Sequence, residues 1–147
     1  MNVNEKGSVG LIEVIRDLSR KGFECFTPLH DYSSVDLIVM DKSWHVFKLQ
    51  VKYRTRYGNI INVGFSTVIN GKKVASDLSA IDGWAVYCPE VDKVIYVSKV
   101  EIDKDAKGFS FRLEPGKDTF NRSGGKKKMK LYTEYGELAE WTNAGVC

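Results

Sequence analysis

At 147 residues, 43% hydrophobic and 28% charged, the chain has the size and make-up of one soluble globular domain with its own core. A formal net charge of +3 admits an acidic partner without demanding one, and no window approaches the roughly 18 apolar residues of a membrane span. The polar start Met1-Asn2-Val3-Asn4-Glu5 has no signal-peptide core, and three scattered cysteines (Cys25, Cys88, Cys147) with two histidines exclude a zinc-site pattern and fit a reducing, cytoplasmic setting.

The first predicted element is a helix. Ser8 is a plausible N-cap, Leu11, Ile12, Ile15 and Leu18 recur at helical spacing, Glu13, Arg16, Asp17 and Arg20 form the polar side, and Gly22 supplies the stop. A strand from Phe23 to Thr27 ends at Pro28, and a loop leads into a strand from Val35 to Met40. After the Asp41-Lys42-Ser43 turn, a strand runs from Trp44 to Arg54. Alternation puts Gln50, Lys52 and Arg54 on one face and Phe47, Leu49, Val51 and Tyr53 on the other. Apolar groups on both faces mark a central, covered strand.

Ile60 to Ile69, Asn70-Gly71 and Lys72-Lys73-Val74 read as a ribbon closed by a type I′ turn, and its polar content predicts that it leaves the core. Ser76 to Ile81 is expected to form a short helical or 3₁₀ turn. Trp84 to Cys88 and Val94 to Ser98 are expected to form a second hairpin of the sheet. A short strand from Phe109 to Leu113 precedes a glycine-rich basic loop, and Leu131, Tyr135, Leu138 and Trp141 suggest a closing amphipathic helix, weakened by Gly136. The expected organisation is one domain over 1–147, with a core at about 6–100, a hairpin at 58–75, and a basic loop with a C-terminal helix at 114–147.

Two of the apolar strands carry chemistry. Asp36 opens one and Gln50-Val51-Lys52 lies in the next, fourteen residues on. Polar groups in such strands are costly to bury unless they pair or bind an ion. Taken alone, Asp36 reads as a turn residue and Lys52 as a strand-end charge that snorkels to solvent. Together, on paired strands, they compose a site in which carboxylate and amide oxygens hold a hard cation and an ammonium sits beside a phosphate.

At these residues the chain resembles the PD-(D/E)XK nuclease superfamily, over roughly residues 6 to 100. The resemblance lies in Lys6-Gly7-Ser8, a helix, Lys21-Gly22-Phe23, Pro28, Ser34-Val35-Asp36-Leu37-Ile38 and Leu49-Gln50-Val51-Lys52, followed by Ile81 to Tyr87 and Val94 to Val97. Its Gln-x-Lys form and small size look most like homing endonucleases encoded by bacterial group I introns. The resemblance implies an α/β fold with a restriction-endonuclease-like core: a mixed central sheet flanked by helices, with a protruding β-hairpin. It implies a bacterial, cytoplasmic enzyme that makes double-strand breaks in specific DNA with a divalent cation. Mg²⁺ would serve, Mn²⁺ would substitute, and Ca²⁺ would support binding without turnover. Asp36, Gln50 and the Val51 backbone carbonyl would hold the metal, and Lys52 would be the catalytic lysine.

The chain departs from that pattern at one place. Relatives carry a Glu on the first helix three residues after Ser8, and this chain has Leu11. With an N-cap at Ser8, such a Glu would also complete a capping box and have a purely structural reading. Glu13 is the nearest acid and a second catalytic candidate, but two residues turn it about 200° around the helix, so a functional Glu13 would need a shifted helix register. Leu11 thus makes a catalytically weakened, binding-competent form an alternative reading, alongside a junction-resolving nuclease.

Basic residues fall where a phosphate footprint would need them: Arg54 and Arg56 after the central strand, Lys72 and Lys73 at the hairpin, and Arg122, Lys126, Lys127 and Lys128 in the glycine-rich loop. Singly, each reads as a solvated loop charge. A two-stranded ribbon fits the major groove, with Asn62, Ser66, Thr67 or Lys73 reaching base edges, and Gly10 would let a phosphate approach the helix. Cutting two strands calls for two active sites, so double-stranded DNA and a homo-oligomer, a dimer or a tetramer, are the expected partners.

Overall fold

The computed structural model describes residues 1–30, 34–115 and 129–141. The chain begins with one long helix, α1 (Val3–Arg20). Its N-cap lies six residues before Ser8, because Asn2 and Glu5 form a capping box: Asn2 Oδ1 accepts from the Glu5 N–H at 2.9 Å, and Glu5 Oε2 accepts from the Asn2 N–H at 3.1 Å. Ser8 is therefore an interior helical residue. The stop is as expected. Gly22 adopts φ +89°, which a side chain would resist, and the N–H groups of Phe23 and Gly22 return to the carbonyls of Leu18 and Ser19 at 3.0 and 3.1 Å.

The strands are β1 (Glu24–Phe26), β2 (Leu37–Met40), β3 (Val46–Tyr53), β4 (Ile60–Gly64), β5 (Ser66–Ile69), β6 (Lys72–Ala75), β7 (Gly83–Cys88), β8 (Lys93–Ser98) and β9 (Gly108–Arg112). The central sheet has five strands in the order β1-β2-β3-β7-β8, with β3 and β7 parallel and the other pairs antiparallel. β3 is central, as its two-sided apolar pattern predicts. One face of the sheet is covered by α1: Val14 and Leu18 meet Leu37, Val39, Phe47, Leu49, Ala85 and Tyr96, with Leu138 and Trp141 closing the cluster. The other face is covered over β7 and β8 by the β4/β9 ribbon, through Ile61, Val63, Phe65, Phe111 and Leu113. The second covering layer is thus β structure where a helix was expected.

Three other expectations change. The stretch 58–75 is split: β4 pairs with β9, and only β5 and β6 form the free hairpin around Asn70 (φ 51°) and Gly71 (φ 77°). Of the helical or 3₁₀ turn expected over Ser76 to Ile81, the turn alone remains, closed by an i→i+3 bond from the Ile81 N–H to the Leu78 carbonyl at 3.4 Å, with no helix. The closing helix is replaced by two short 3₁₀ segments, Tyr132–Glu134 and Leu138–Trp141, with Gly136 between them. A glycine at mid-pattern raises the cost of a continuous helix by about 1 kcal/mol, and burial of Leu138 and Trp141 needs only a short turn.

Gly83 shows how closely the closing segment sits on the sheet. A Cβ there would overlap the Val97 carbonyl oxygen and the edge of the Trp141 ring. Gly83→Ala is therefore expected to lose about 3 kcal/mol of stability, since neither the β8 backbone nor the buried indole can retreat. Urea unfolding checks this, with a lower midpoint at an unchanged slope.

Candidate active site

β2 and β3 set Asp36 by register beside the strand that carries Gln50 and Lys52, although neither Gln50 nor Lys52 lines the cleft that Asp36 shares with Leu11. Leu37 lies opposite Leu49, and the ladder extends one step through the Asp36 N–H, which donates to the Leu49 carbonyl at 2.9 Å. This fixes the Asp36 backbone beside β3. Its carboxylate turns onto that strand, where Oδ2 accepts from the Val51 N–H at 2.8 Å. Removing the acceptor in Asp36→Ala leaves a partly buried N–H unpaired. That is expected to cost about 1–2 kcal/mol. Asp36→Asn keeps an oxygen there and is expected to melt close to the native chain, so thermal denaturation of the two variants separates the structural bond from the charge.

Gln50 is buried and faces away from α1. Trp84, its register partner on β7, donates Nε1–H to Gln50 Oε1 at 3.1 Å. Since an indole N–H can only donate, this bond settles which end of the amide is oxygen. Phe65, at the root of the β5/β6 hairpin, stacks on Trp84 with ring centroids 4.8 Å apart. Ahead of β2, the Ser34 hydroxyl donates to the Asp77 carbonyl just past β6. The hairpin root is thus tied to the strands carrying Asp36 and Gln50.

Lys52 is half-buried on the Gln50 face, opposite Val86. Burial and the neighbouring Arg54 guanidinium push its ammonium below the ordinary value of 10.5, with Asp36 pulling the other way. The sign for stability follows. A lysine with a depressed folded value binds fewer protons folded than unfolded, so its charge costs stability at neutral pH. The cost is relieved as pH rises between the lowered value and 10.5.

A cleft of about 570 Å³ opens between the first turns of α1, the segment after β1, and β2–β3. Asp36, Val51 and Leu11 all line it, with Ser8, Thr27 and His30 among the others. Leu11 therefore shares one opening with Asp36 and Val51. Because the helix starts at Val3, residue 11 is no capping position, and a carboxylate there would have no capping role. Glu13 goes elsewhere: it pairs with Arg16 at 3.5 Å and lines a separate groove with Asp17 and Lys21. The rotation of two residues along α1 places Glu13 in that groove rather than in the cleft of Leu11. The cleft wall formed by Thr27 and His30 went unread in the sequence, where Pro28 signals only a loop.

The residues fit a hard cation of the magnesium type. Such an ion keeps most of its waters and takes one or two carboxylates plus substrate phosphates. Asp36 supplies a carboxylate at the cleft, while Gln50 Oε1 has one lone pair committed to Trp84. Among the described residues no group of three His, Cys, Asp or Glu side chains converges, so the protein contributes little negative charge here.

The expected DNA contacts divide. Lys72, Lys73 and Thr67 are exposed on the hairpin and Ser66 is half-exposed at its root. Asn62 lies on the other ribbon, where Ser110 Oγ donates to its Oδ1 at 2.5 Å. Arg54 is half-buried and donates to the Tyr53 carbonyl at 2.9 Å, and Arg56 pairs with Glu114 at 3.3 Å. Gly10 is buried, with its would-be Cβ 3.2 Å from Tyr53 Cβ. It serves the close crossing of α1 over β3 and offers no approach to a phosphate. Arg122, Lys126, Lys127 and Lys128 lie outside the described residues.

A carboxylate pinned to a central strand, a half-buried lysine one step along, and a helix closing the cleft define an α/β fold of the nuclease type. The PD-(D/E)XK endonuclease family matches residues 1–128, and the chain belongs to that family. A solved structure described as that of a bacterial homing endonuclease, I-Ssp6803I, is similar in fold, with a TM-score of 0.69 at 16% identity, covering 99% of this chain and 97% of that one. Comparison with curated proteins gave no match.

Proposed function

We propose that the chain is a divalent-metal-dependent, sequence-specific DNA endonuclease that makes double-strand breaks of the kind that start group I intron homing. The observation that carries this reading is the shared cleft: Asp36, Val51 and residue 11 line one opening, with Asp36 bonded to the strand that presents Gln50 and Lys52. Asp36, Gln50 and the Val51 carbonyl would hold the cation, Mg²⁺ with Mn²⁺ as a substitute. When bound, it lowers the pKa of a coordinated water and offsets phosphate charge. The chain's own part is positional. The Asp36–Val51 bond fixes the carboxylate, Trp84 fixes Gln50, and Lys52 sets a positive charge against the anion that develops on phosphorus.

Leu11 favours a second reading, a form that binds DNA and cleaves it weakly, because an apolar side chain occupies the cleft position where the family pattern has an acid. Double-strand cleavage calls for a dimer or tetramer. In support, the sheet face over β1–β3 that the β4/β9 ribbon leaves open carries Phe26 and Val46 at 48% and 47% exposure, with Ile38 and Met40 between them.

The test is a competitive binding selection in Ca²⁺ from random long duplexes mixed with four-way junctions. Enrichment of one long, partly symmetric duplex supports the homing reading. Retention of junctions regardless of sequence replaces it with junction resolution.

A further inference from the structure

The β5/β6 hairpin carries apolar surface that the fold does not use. Among the described residues its strands pair only with each other. Val68, Ile69 and Val74 are 69%, 53% and 41% exposed. A lone two-stranded hairpin is marginal in water, so leaving aliphatic side chains on it without a partner is unfavourable. The stretch Ser66 to Ala75 also contains two lysines and no acidic residue.

Register sorts these side chains. Thr67, Ile69, Lys72 and Val74 share one face, and Ser66, Val68, Lys73 and Ala75 the other. At the tip Ile69 lies opposite Lys72, and Val68 opposite Lys73. Each face therefore presents one aliphatic side chain directly across from one ammonium. Positive charge with no acid selects a polyanion. An aliphatic group beside each charge selects a polyanion with apolar features spaced among its polar edges. The major groove of duplex DNA offers this combination: phosphates and purine acceptors for lysine, and the thymine C5-methyl for an aliphatic side chain. The groove also admits a two-stranded ribbon.

We infer that Val68 and Ile69 read thymine C5-methyl groups in the major groove of the DNA target. This rests on the DNA-endonuclease reading above and adds a chemical basis for part of its specificity. Lys72 and Lys73 beside them hold the ribbon in the groove.

The test uses the full chain in Ca²⁺. Duplexes enriched from a random pool are remade with deoxyuridine for thymidine, which removes the methyl groups and leaves every hydrogen-bonding edge in place. The native protein is expected to bind the deoxyuridine form roughly four-fold more weakly for each methyl it buries. In the double variant Val68→Ser, Ile69→Ser that penalty is expected to vanish, while salt-sensitive binding through phosphates persists. Equal binding of both forms by native protein that does enrich a duplex overturns the inference alone, as does a penalty of the same size in the variant. If nothing is enriched, the DNA reading falls and takes the inference with it. Retention on vesicles of phosphatidylglycerol and phosphatidylcholine that the double variant loses, with no thymine dependence, assigns the hairpin to a membrane surface instead.

Discussion

Lys52→Met is expected to lower phosphodiester cleavage by about 10²–10³-fold, the usual effect of removing one positioned group that stabilises developing charge. The substitution keeps the length and apolar stem of the side chain beside Val86 and deletes only the ammonium. Burial and Arg54 already disfavour that ammonium in the folded protein. The variant should therefore melt no lower than the native chain at neutral pH, and DNA retention in Ca²⁺ should survive. A loss of cleavage accompanied by a lower melting temperature would mark Lys52 as structural. An unchanged rate in a folded variant would remove it from the chemistry.

The second large effect runs the other way. Leu11→Glu should raise cleavage in Mg²⁺ by at least about tenfold, equivalent to roughly 1.4 kcal/mol of barrier. The reason is geometric: residue 11 lines the cleft with Asp36 and Val51, and a carboxylate there adds a second anionic ligand to a site that has few. The cost is a partly buried leucine taken from the cluster of Val14 and Leu18, so some stability should be lost. Glu13→Ala is the paired control. Its carboxylate faces Arg16 in another groove and its removal should leave the rate alone. If Leu11→Glu changes nothing and Glu13→Ala abolishes cleavage, the helix register assigned to the site is wrong.

Much of this arrangement was legible because it breaks a local rule. Asp36 and Gln50-x-Lys52 are polar groups in apolar runs, and period-two alternation alone places Gln50 and Lys52 on one face. Asn70-Gly71 marked its turn because few other residues accept two consecutive positive φ values. What stayed hidden depends on partners distant in sequence. Nothing local tells Ile60–Gly64 to choose Gly108–Arg112 over its neighbour across the turn; that choice comes from burying Ile61, Val63 and Phe111 on the sheet. The Trp84–Gln50 bond spans 34 residues and looks from the sequence like two unrelated side chains. Ser8 was a sound capping residue outcompeted by Asn2, whose Glu5 completes a reciprocal pair of bonds. Gly10 resembled a phosphate-facing glycine until Tyr53 was seen against it.

The position of β3 between an antiparallel and a parallel neighbour divides the site by the order in which it can assemble. The Asp36–Val51 bond closes across a short hairpin, within 15 residues. The Gln50–Trp84 bond must wait until β7 returns parallel to β3, after the chain has travelled through β4, β5 and β6. Contacts of low sequence separation are entropically cheaper to close than distant ones, so the carboxylate half of the site precedes the amide half in order of chain-entropy cost. The length of the excursion hardly matters to the final equilibrium, since doubling a loop costs only about 0.6 kcal/mol. The β5/β6 hairpin sits in that excursion, so a change in its length leaves the sequence separation of the Asp36–Val51 bond untouched.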